Sequence, residues 1–308
     1  MAAVAQRAFL DAAVLARLSR LTVNAREPML GAVTGLHRSA TRGSSVEFAE
    51  YRKYVPGDDI KHLDWRVFAR TDRFYMKEFE ADTNLRCQLV LDATGSMGYT
   101  GRHGRKLDYA IKLVATLAHL LVHQGDAVGL AVITHAGLKE IPPRRSAAHL
   151  RHIFDALAEL KPGGTADIPR ALHDLAEKVR RRAMVLVFSD FFAEAAPLIN
   201  ALQHMRFQKH DLALFQLLDR DEVNFEFDRP MRFIDLESSF QLITDPAVTA
   251  ADYRRELDAH LEVLQRSSRE FGADYQRVFT DRDYEQVLAA FILQRLRAGQ
   301  VARGGGQA

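Results

Sequence analysis

The chain has 308 residues, of which 47% are hydrophobic, 9% aromatic and 27% charged. These proportions are those of an ordinary globular protein, and they exclude a disordered, collagen-like or low-complexity chain. The 42 lysines and arginines against 40 acidic residues give a net charge of +2, which offers no argument for nucleic-acid binding.

The single cysteine, Cys87, excludes an internal disulfide and a thiolate zinc site, and it fits a reducing compartment. The longest uncharged stretch, residues 113–125, is too short for a membrane span, which needs about 18 or more apolar residues. We therefore expect a cytoplasmic protein without a membrane span.

The first 21 residues predict an amphipathic helix. Its apolar residues at helical spacing are Leu10, Val14, Leu18 and Leu21. Asp11 interrupts the apolar run that a secretory signal would need, and a mitochondrial transit peptide usually lacks such an acid. We interpret this segment as a helix that docks on the rest of the chain.

Residues 31–82 are rich in turn formers and aromatics and show no long helical period. Short strands are predicted at residues 46–48, 65–69 and 74–79. The turn-forming residues Pro-Gly-Asp-Asp at 56–59 lie between the first two. The first predicted domain, residues 1–84, therefore combines the N-terminal helix with a small β-rich unit.

From residue 85 onwards strands and helices alternate. Strands are predicted at residues 87–91, 127–134, 184–188, 212–218 and 275–279. Helices are predicted at residues 107–123, 147–160, 168–179, 197–205, 252–271 and 284–296, and a hairpin at residues 233–236 and 240–243. This alternation predicts an α/β domain over residues 85–300, with a doubly wound, mostly parallel sheet, followed by a disordered tail at 301–308.

Oxygen-bearing side chains follow the predicted strands. Asp92, Thr94 and Ser96 follow the first strand of this domain, and Asp190 follows the strand at 184–188. Thr165 lies in a glycine-rich turn before a helix. Ligands bind at the carboxyl ends of parallel strands, and hard oxygen donors suit Mg²⁺ or Mn²⁺.

These motifs resemble a known site and a known family. Asp-x-Thr-x-Ser at 92–96, Gly-Gly-Thr at 163–165 and Ser-Asp at 189–190 resemble the metal-ion-dependent adhesion site of von Willebrand factor A domains, a Rossmann-like fold. Residues 43–71, with Tyr-Val-Pro-Gly-Asp-Asp-Ile and Asp-Trp, resemble the bacterial family called domain of unknown function 58. Members of that family carry such a domain and are typically encoded beside MoxR-type AAA+ ATPases. The resemblance covers roughly residues 35–295.

The resemblance implies a single divalent cation, Mg²⁺ or Mn²⁺, bound directly by the hydroxyls of Thr94 and Ser96. Thr165 would bind it directly or through water, and Asp92 and Asp190 through water. The sixth position would be left for a carboxylate of a partner. Serine is commoner at the position that Thr94 occupies. The additional β-methyl group of threonine restricts the orientations that the hydroxyl can take.

The function that the resemblance implies is a non-enzymatic, metal-dependent adaptor that acts in protein–protein interaction. Its expected partners are a MoxR-type AAA+ ATPase and an unidentified client protein that supplies the carboxylate. Residues 92–96 are also similar to the Asp-x-Thr-Gly-Thr loop of aspartyl-phosphate enzymes. That alternative is a magnesium-dependent phosphotransferase or phosphatase with Asp92 as nucleophile, and Asp190 with Glu194 as metal-binding acids.

Two purely structural interpretations also stay open. Asp92 could cap the following helix, while Thr165 and Asp190 satisfy loop amides. The β-rich unit also contains a crowded set of charged and aromatic residues, which either form an internal salt-bridge network or dock a partner. These are Asp58, Asp59, Asp64, Trp65, Arg66 and Arg70.

Overall fold

The computed structural model describes residues 7–25, 46–53, 67, 75–81, 85–227 and 229–304. The strands are β1 (Val46–Lys53), β2 (Tyr75–Ala81), β3 (Arg86–Asp92), β4 (Thr100–Gly101), β5 (Gly104–Arg105), β6 (Ala127–Thr134), β7 (Gly137–Arg144), β8 (Met184–Ser189), β9 (Asp211–Leu218), β10 (Met231–Ile234), β11 (Gln241–Thr244) and β12 (Asp274–Phe279). The α-helices are Ala12–Leu18, Lys106–His123, Ala147–Ala158, Ile168–Lys178, Ala195–Phe207, Arg220–Asn224, Pro246–Glu270 and Tyr284–Gly304. The chain divides into two compact units, one of Met1–Pro28 with Arg86–Ala308 and the other of Met29–Leu85.

The larger unit is built on a six-stranded sheet with the order β12-β9-β8-β3-β6-β7. All neighbours pair in parallel except β6 and β7, which are antiparallel. Numbered along the chain, the strands lie in the order 3-2-1-4-5-6 from β7 to β12, which is that of a doubly wound Rossmann-like sheet. The predicted fold class, a mostly parallel and von Willebrand factor A-like sheet, is therefore confirmed.

Helices cover both faces of this sheet. Val187 and Leu214 pack in one apolar cluster with Leu172 and Leu202, which belong to the helices Ile168–Lys178 and Ala195–Phe207. Successive strand residues point to opposite faces, so Phe188 and Phe215 face the other way. There Phe215 meets Phe291 of the last helix, with ring centroids 4.9 Å apart.

The central strands are buried along their whole length. Every residue of β8 and β9 is buried, and so is every residue of β3 after its first. A continuous apolar run predicts such a strand because helices cover both of its sides. The order of the sheet reverses between β3 and β8, which brings the carboxyl ends of these two strands side by side at the switch point.

The N-terminal helix is shorter than the predicted one: it spans Ala12–Leu18. Asp11 begins it as the N-cap, because its carboxylate accepts hydrogen bonds from the backbone N–H groups of residues 13 and 14. Val14 and Leu18 are buried, and Arg17 pairs with Glu285 of the last helix. The apolar stripe thus docks on the larger unit.

The two described strands of the smaller unit form an antiparallel pair, in which Val46 of β1 lies opposite Ala81 of β2. This confirms the predicted strands at 46–48 and 74–79. The predicted strand at 65–69 lies outside the described residues except for Val67, which is helical rather than extended. The candidate docking residues also lie outside the described part: Asp58, Asp59, Asp64, Trp65, Arg66 and Arg70.

Edge strand β7 was missed by the sequence analysis because it contains Pro142 and Pro143. Proline cannot donate to a strand ladder, and it is tolerated at an edge, where one side needs no partner.

The last helix continues through Gly304, so residues 301–304 are helical and the predicted tail began too early. Residues 297–303 contain no proline and a single glycine, Gly299, and helix formers predominate among the others.

The predicted hairpin is formed by β10 and β11, with Met231 opposite Thr244 and Ile234 opposite Gln241. An aromatic cluster anchors its base, since the rings of Phe225, Phe233 and Tyr253 stack at centroid distances of 4.4–5.3 Å. None of the described helices is both long and apolar enough to cross a membrane.

Candidate metal centre

Asp92 ends β3 and organises the loop that follows it. Its Oδ1 accepts a hydrogen bond from the N–H of Thr94 at 2.9 Å, and its Oδ2 accepts one from the hydroxyl of Ser189 at 2.6 Å. Asp92 is fully buried. Burial, and then the negative charge of Asp190, raise the pKa of Asp92 to about 7, while the hydrogen bonds act in the opposite direction.

The two hydroxyls of the first loop lie next to each other. Thr94 Oγ1 and Ser96 Oγ are 3.1 Å apart; Thr94 is buried and Ser96 is partly exposed. Between them stands Gly95, where an added Cβ would lie 2.1 Å from the carbonyl oxygen of Leu236. The first loop is therefore covered by the turn of the β10–β11 hairpin.

The second loop joins the first through backbone hydrogen bonds. The N–H of Gly95 donates to the carbonyl of Gly164 at 2.8 Å, and the N–H of Gly163 donates to that of Ala93 at 3.2 Å. The Thr165 hydroxyl donates to the carbonyl of Glu237 at 2.8 Å. Thr165 is exposed, and the two glycines before it hold the second loop against the first.

Asp190 directly follows β8 and is fully buried. Its Oδ2 lies 2.8 Å from the ammonium of Lys106, which also lies 2.6 Å from Glu222 Oε1. Burial lowers the pKa of Lys106, but the charges of Asp190 and Glu222 raise it by more, so the ammonium stays protonated. Burial raises the pKa of Glu222, and the charge of Lys106 offsets this only in part.

Sequence reasoning missed three residues of this site, Lys106, Glu222 and Glu237, and it gave Ser189 no role of its own within the Ser-Asp motif. Glu222 comes shortly after β9, so the search at strand ends that selected Asp190 could have found it. Lys106 opens a helix after a basic, glycine-rich stretch, and no local signal distinguishes it. Glu237 lies in the hairpin turn, more than 70 residues from either loop.

The donors at this site fit a hard divalent cation in kind. They are oxygen atoms throughout: the hydroxyls of Thr94, Ser96 and Thr165 and the carboxylates of Asp92 and Asp190. In the part of the chain that the structure describes, no three His, Cys, Asp or Glu side chains are close enough to hold a metal ion. A cation here would therefore need hydroxyl groups and water among its ligands, as in the adhesion-site pattern.

The arrangement does not favour the alternative with Asp92 as a nucleophile. A nucleophilic carboxylate must reach the phosphoryl group, whereas Asp92 is buried and both of its oxygens accept hydrogen bonds. Glu194 is exposed at the start of the helix Ala195–Phe207.

The purely structural interpretation holds for one of the two acids. Asp92 caps no helix, but Asp190 accepts a hydrogen bond from a loop N–H, that of Phe192, at 3.3 Å.

The strand order and the loops at its switch point define an α/β domain of the von Willebrand factor A-like class. The chain belongs to the family described as Protein of unknown function DUF58, whose model matches residues 50–266.

Curated relatives and solved structures are similar to this chain. The uncharacterized protein Rv1480 of Mycobacterium tuberculosis is 28% identical over 294 residues, which cover 93% of this chain and 91% of Rv1480. The uncharacterized protein YeaD of Bacillus subtilis is 29% identical over 111 residues, 36% of this chain and 25% of YeaD. The crystal structure of the conserved hypothetical protein BatB from Bacteroides thetaiotaomicron aligns with a TM-score of 0.47 and 11% identity, over 70% of this chain and 100% of BatB.

Proposed function

We propose that this protein is a non-enzymatic adaptor that binds partner proteins through a divalent cation held at the switch point of its sheet. One observation carries the proposal. The hydroxyls of Thr94 and Ser96 lie together beside Thr165, next to two buried carboxylates at the ends of adjacent strands. The class of partner follows from this donor set, because an incompletely ligated hard cation attracts carboxylates.

Each residue of the site would have its own contact with the cation. Thr94 and Ser96 bind the cation directly, Thr165 binds it directly or through water, and Asp92 and Asp190 hold it through water. When bound, Mg²⁺ or Mn²⁺ supplies positive charge that a partner's carboxylate can approach. Ser189 orients Asp92 and Lys106 orients Asp190, so the supporting contacts exist before any ion arrives.

A MoxR-type AAA+ ATPase is the proposed partner, with a carboxylate-bearing client protein, and the setting is the cytoplasm. Membership of the DUF58 family supports this proposal, because members of that family are typically encoded beside MoxR-type AAA+ ATPases. Exposed apolar side chains on the hairpin that covers the site are consistent with a protein-binding surface. They are Ile234, Leu236, Phe240, Leu242 and Ile243.

The test compares Ser96→Ala with the wild type in two measurements. Calorimetric titration of Mg²⁺ and Mn²⁺ into chelator-treated protein should give saturable binding that Ser96→Ala weakens about tenfold or more, because it removes a direct ligand. Binding to a purified MoxR-type ATPase should occur with Mg²⁺ and be lost with chelator or in Ser96→Ala.

Ser239→Ala is the matched control, since it removes an exposed hydroxyl from the nearby hairpin turn. A partner that binds wild type and Ser96→Ala equally, with or without chelator, contradicts the proposal. Phosphatase activity of the purified protein that Asp92→Asn abolishes would instead support the phosphotransferase alternative.

A further inference from the structure

The turn between β10 and β11 is held by hydrogen bonds among its own residues. The Asp235 side chain accepts a hydrogen bond from the N–H of Glu237 at 3.0 Å and one from the hydroxyl of Ser238. The N–H of Phe240 donates to Ser238 Oγ at 3.1 Å, and the N–H of Asp235 donates to the carbonyl of Phe240 at 3.0 Å. These bonds order the turn from within and include the backbone N–H of Glu237.

Glu237 bridges the two loops of the candidate metal centre. Its Oε1 accepts a hydrogen bond from the N–H of Ser96 at 3.2 Å, and its carbonyl accepts one from the hydroxyl of Thr165. The preceding carbonyl, of Leu236, occupies the space that a Cβ at Gly95 would need. A partly buried carboxylate is thus hydrogen-bonded to the backbone of Ser96, one of the residues proposed to bind the cation.

We infer that Glu237 is the chain's own carboxylate ligand for the divalent cation. This inference rests on the proposed function and deepens it. The position expected for a partner's carboxylate would be filled from within, by a residue whose side chain contacts the first loop and whose backbone carbonyl contacts the second. The carboxylate also adds negative charge to a site in which Lys106 offsets only part of that of Asp190 and Glu222.

The consequence concerns recognition of the partner. A partner's carboxylate reaches the cation only by displacing Glu237 and therefore by moving the hairpin turn. Competition between the two carboxylates sets the affinity for the partner, and a variant without the Glu237 charge binds the cation more weakly.

The test is titration of Mn²⁺ into the chelator-treated full-length protein, with Glu237→Gln compared with the wild type. The glutamine retains an oxygen that accepts from Ser96 N–H, so the turn stays in place while the negative charge is lost. We expect Mn²⁺ affinity to fall about tenfold or more. Glu262→Gln, at an exposed position on the helix Pro246–Glu270, is the control for loss of charge and should match the wild type.

Hydrogen exchange provides a second measurement. Mn²⁺ should slow exchange of the amides of β11 in the wild type and slow it less in Glu237→Gln, because the variant lacks the carboxylate that would bind the cation. Equal Mn²⁺ affinity of the wild type and Glu237→Gln overturns this inference while leaving the proposed function intact. A wild type that takes up no Mn²⁺ overturns both.

Discussion

A buried lysine supplies the positive charge that the described site contains. Lys106 has no exposed surface, and it bridges Asp190 after β8 and Glu222 after β9. The rings of Tyr99 and Phe192 lie 5.8 and 5.1 Å from its ammonium. Because the triad is removed from water, each charge in it depends on the others for compensation.

Replacement of Lys106 by methionine should lower the free energy of unfolding by about 3–5 kcal/mol, the usual cost of leaving buried charges without their partner. Urea unfolding in the presence of chelator measures this change without a contribution from a bound ion. Lys112→Met, on the same helix but partly exposed, is the control and should change stability by less than about 1 kcal/mol. Equal stability of Lys106→Met and the wild type would show that the triad contributes nothing to folding.

At the scale of elements, three segments distant in sequence meet over the candidate site: the loop after β3, the glycine-rich loop and the β10–β11 hairpin. Gly95 is where all three come together, because its N–H donates to Gly164 and its Cα faces the carbonyl of Leu236. Only a residue without a Cβ permits this approach.

Gly95→Ala should push the hairpin turn away from the first loop, because the new Cβ would lie 2.1 Å from a backbone oxygen. We expect faster hydrogen exchange in β10 and β11 and a loss of roughly 1–3 kcal/mol in unfolding free energy. Gly163→Ala is the control: an added Cβ there meets no atom within 4 Å, so exchange in the hairpin should stay as in the wild type. Unchanged exchange in Gly95→Ala would contradict the close contact.

For the whole molecule, Arg295 joins parts of the chain that are far apart in sequence. Its guanidinium lies 2.7 Å from Asp211 of β9 and 2.9 Å from Asp274 of β12, and it donates to the carbonyl of Asn24 at 3.3 Å. The last helix, two strands of the sheet and the N-terminal segment thus share one buried charge. Arginine suits this place because its planar group offers several donors at once.

Arg295→Met should lower the unfolding free energy by about 3–5 kcal/mol, since two buried carboxylates would lose their cation. Thermal unfolding measures the loss, and Arg297→Met, at an exposed position two residues away on the same helix, serves as the control. A melting temperature that falls equally in both variants would assign the effect to the helix rather than to the buried charge.

The sequence by itself determined the alternation of strands and helices, because buried strands and amphipathic helices carry distinct apolar periods. It also singled out Asp92, Thr94, Ser96 and Asp190, since residues at strand ends share one edge of a parallel sheet, and Thr165 through the glycine-rich turn that contains it. Strand β7 escaped because its prolines are acceptable only at an edge, and edge position is a property of the assembled sheet.

Only the tertiary structure decided what surrounds those five residues. Lys106 lies 84 residues from Asp190 and 116 from Glu222, and Glu237 lies 141 residues from Ser96. None of these side chains belongs to a local motif, and each acquires its role through the strand order and the fold of the inserted hairpin. Charge compensation and close backbone approach depend on distances in space, which a sequence period does not encode.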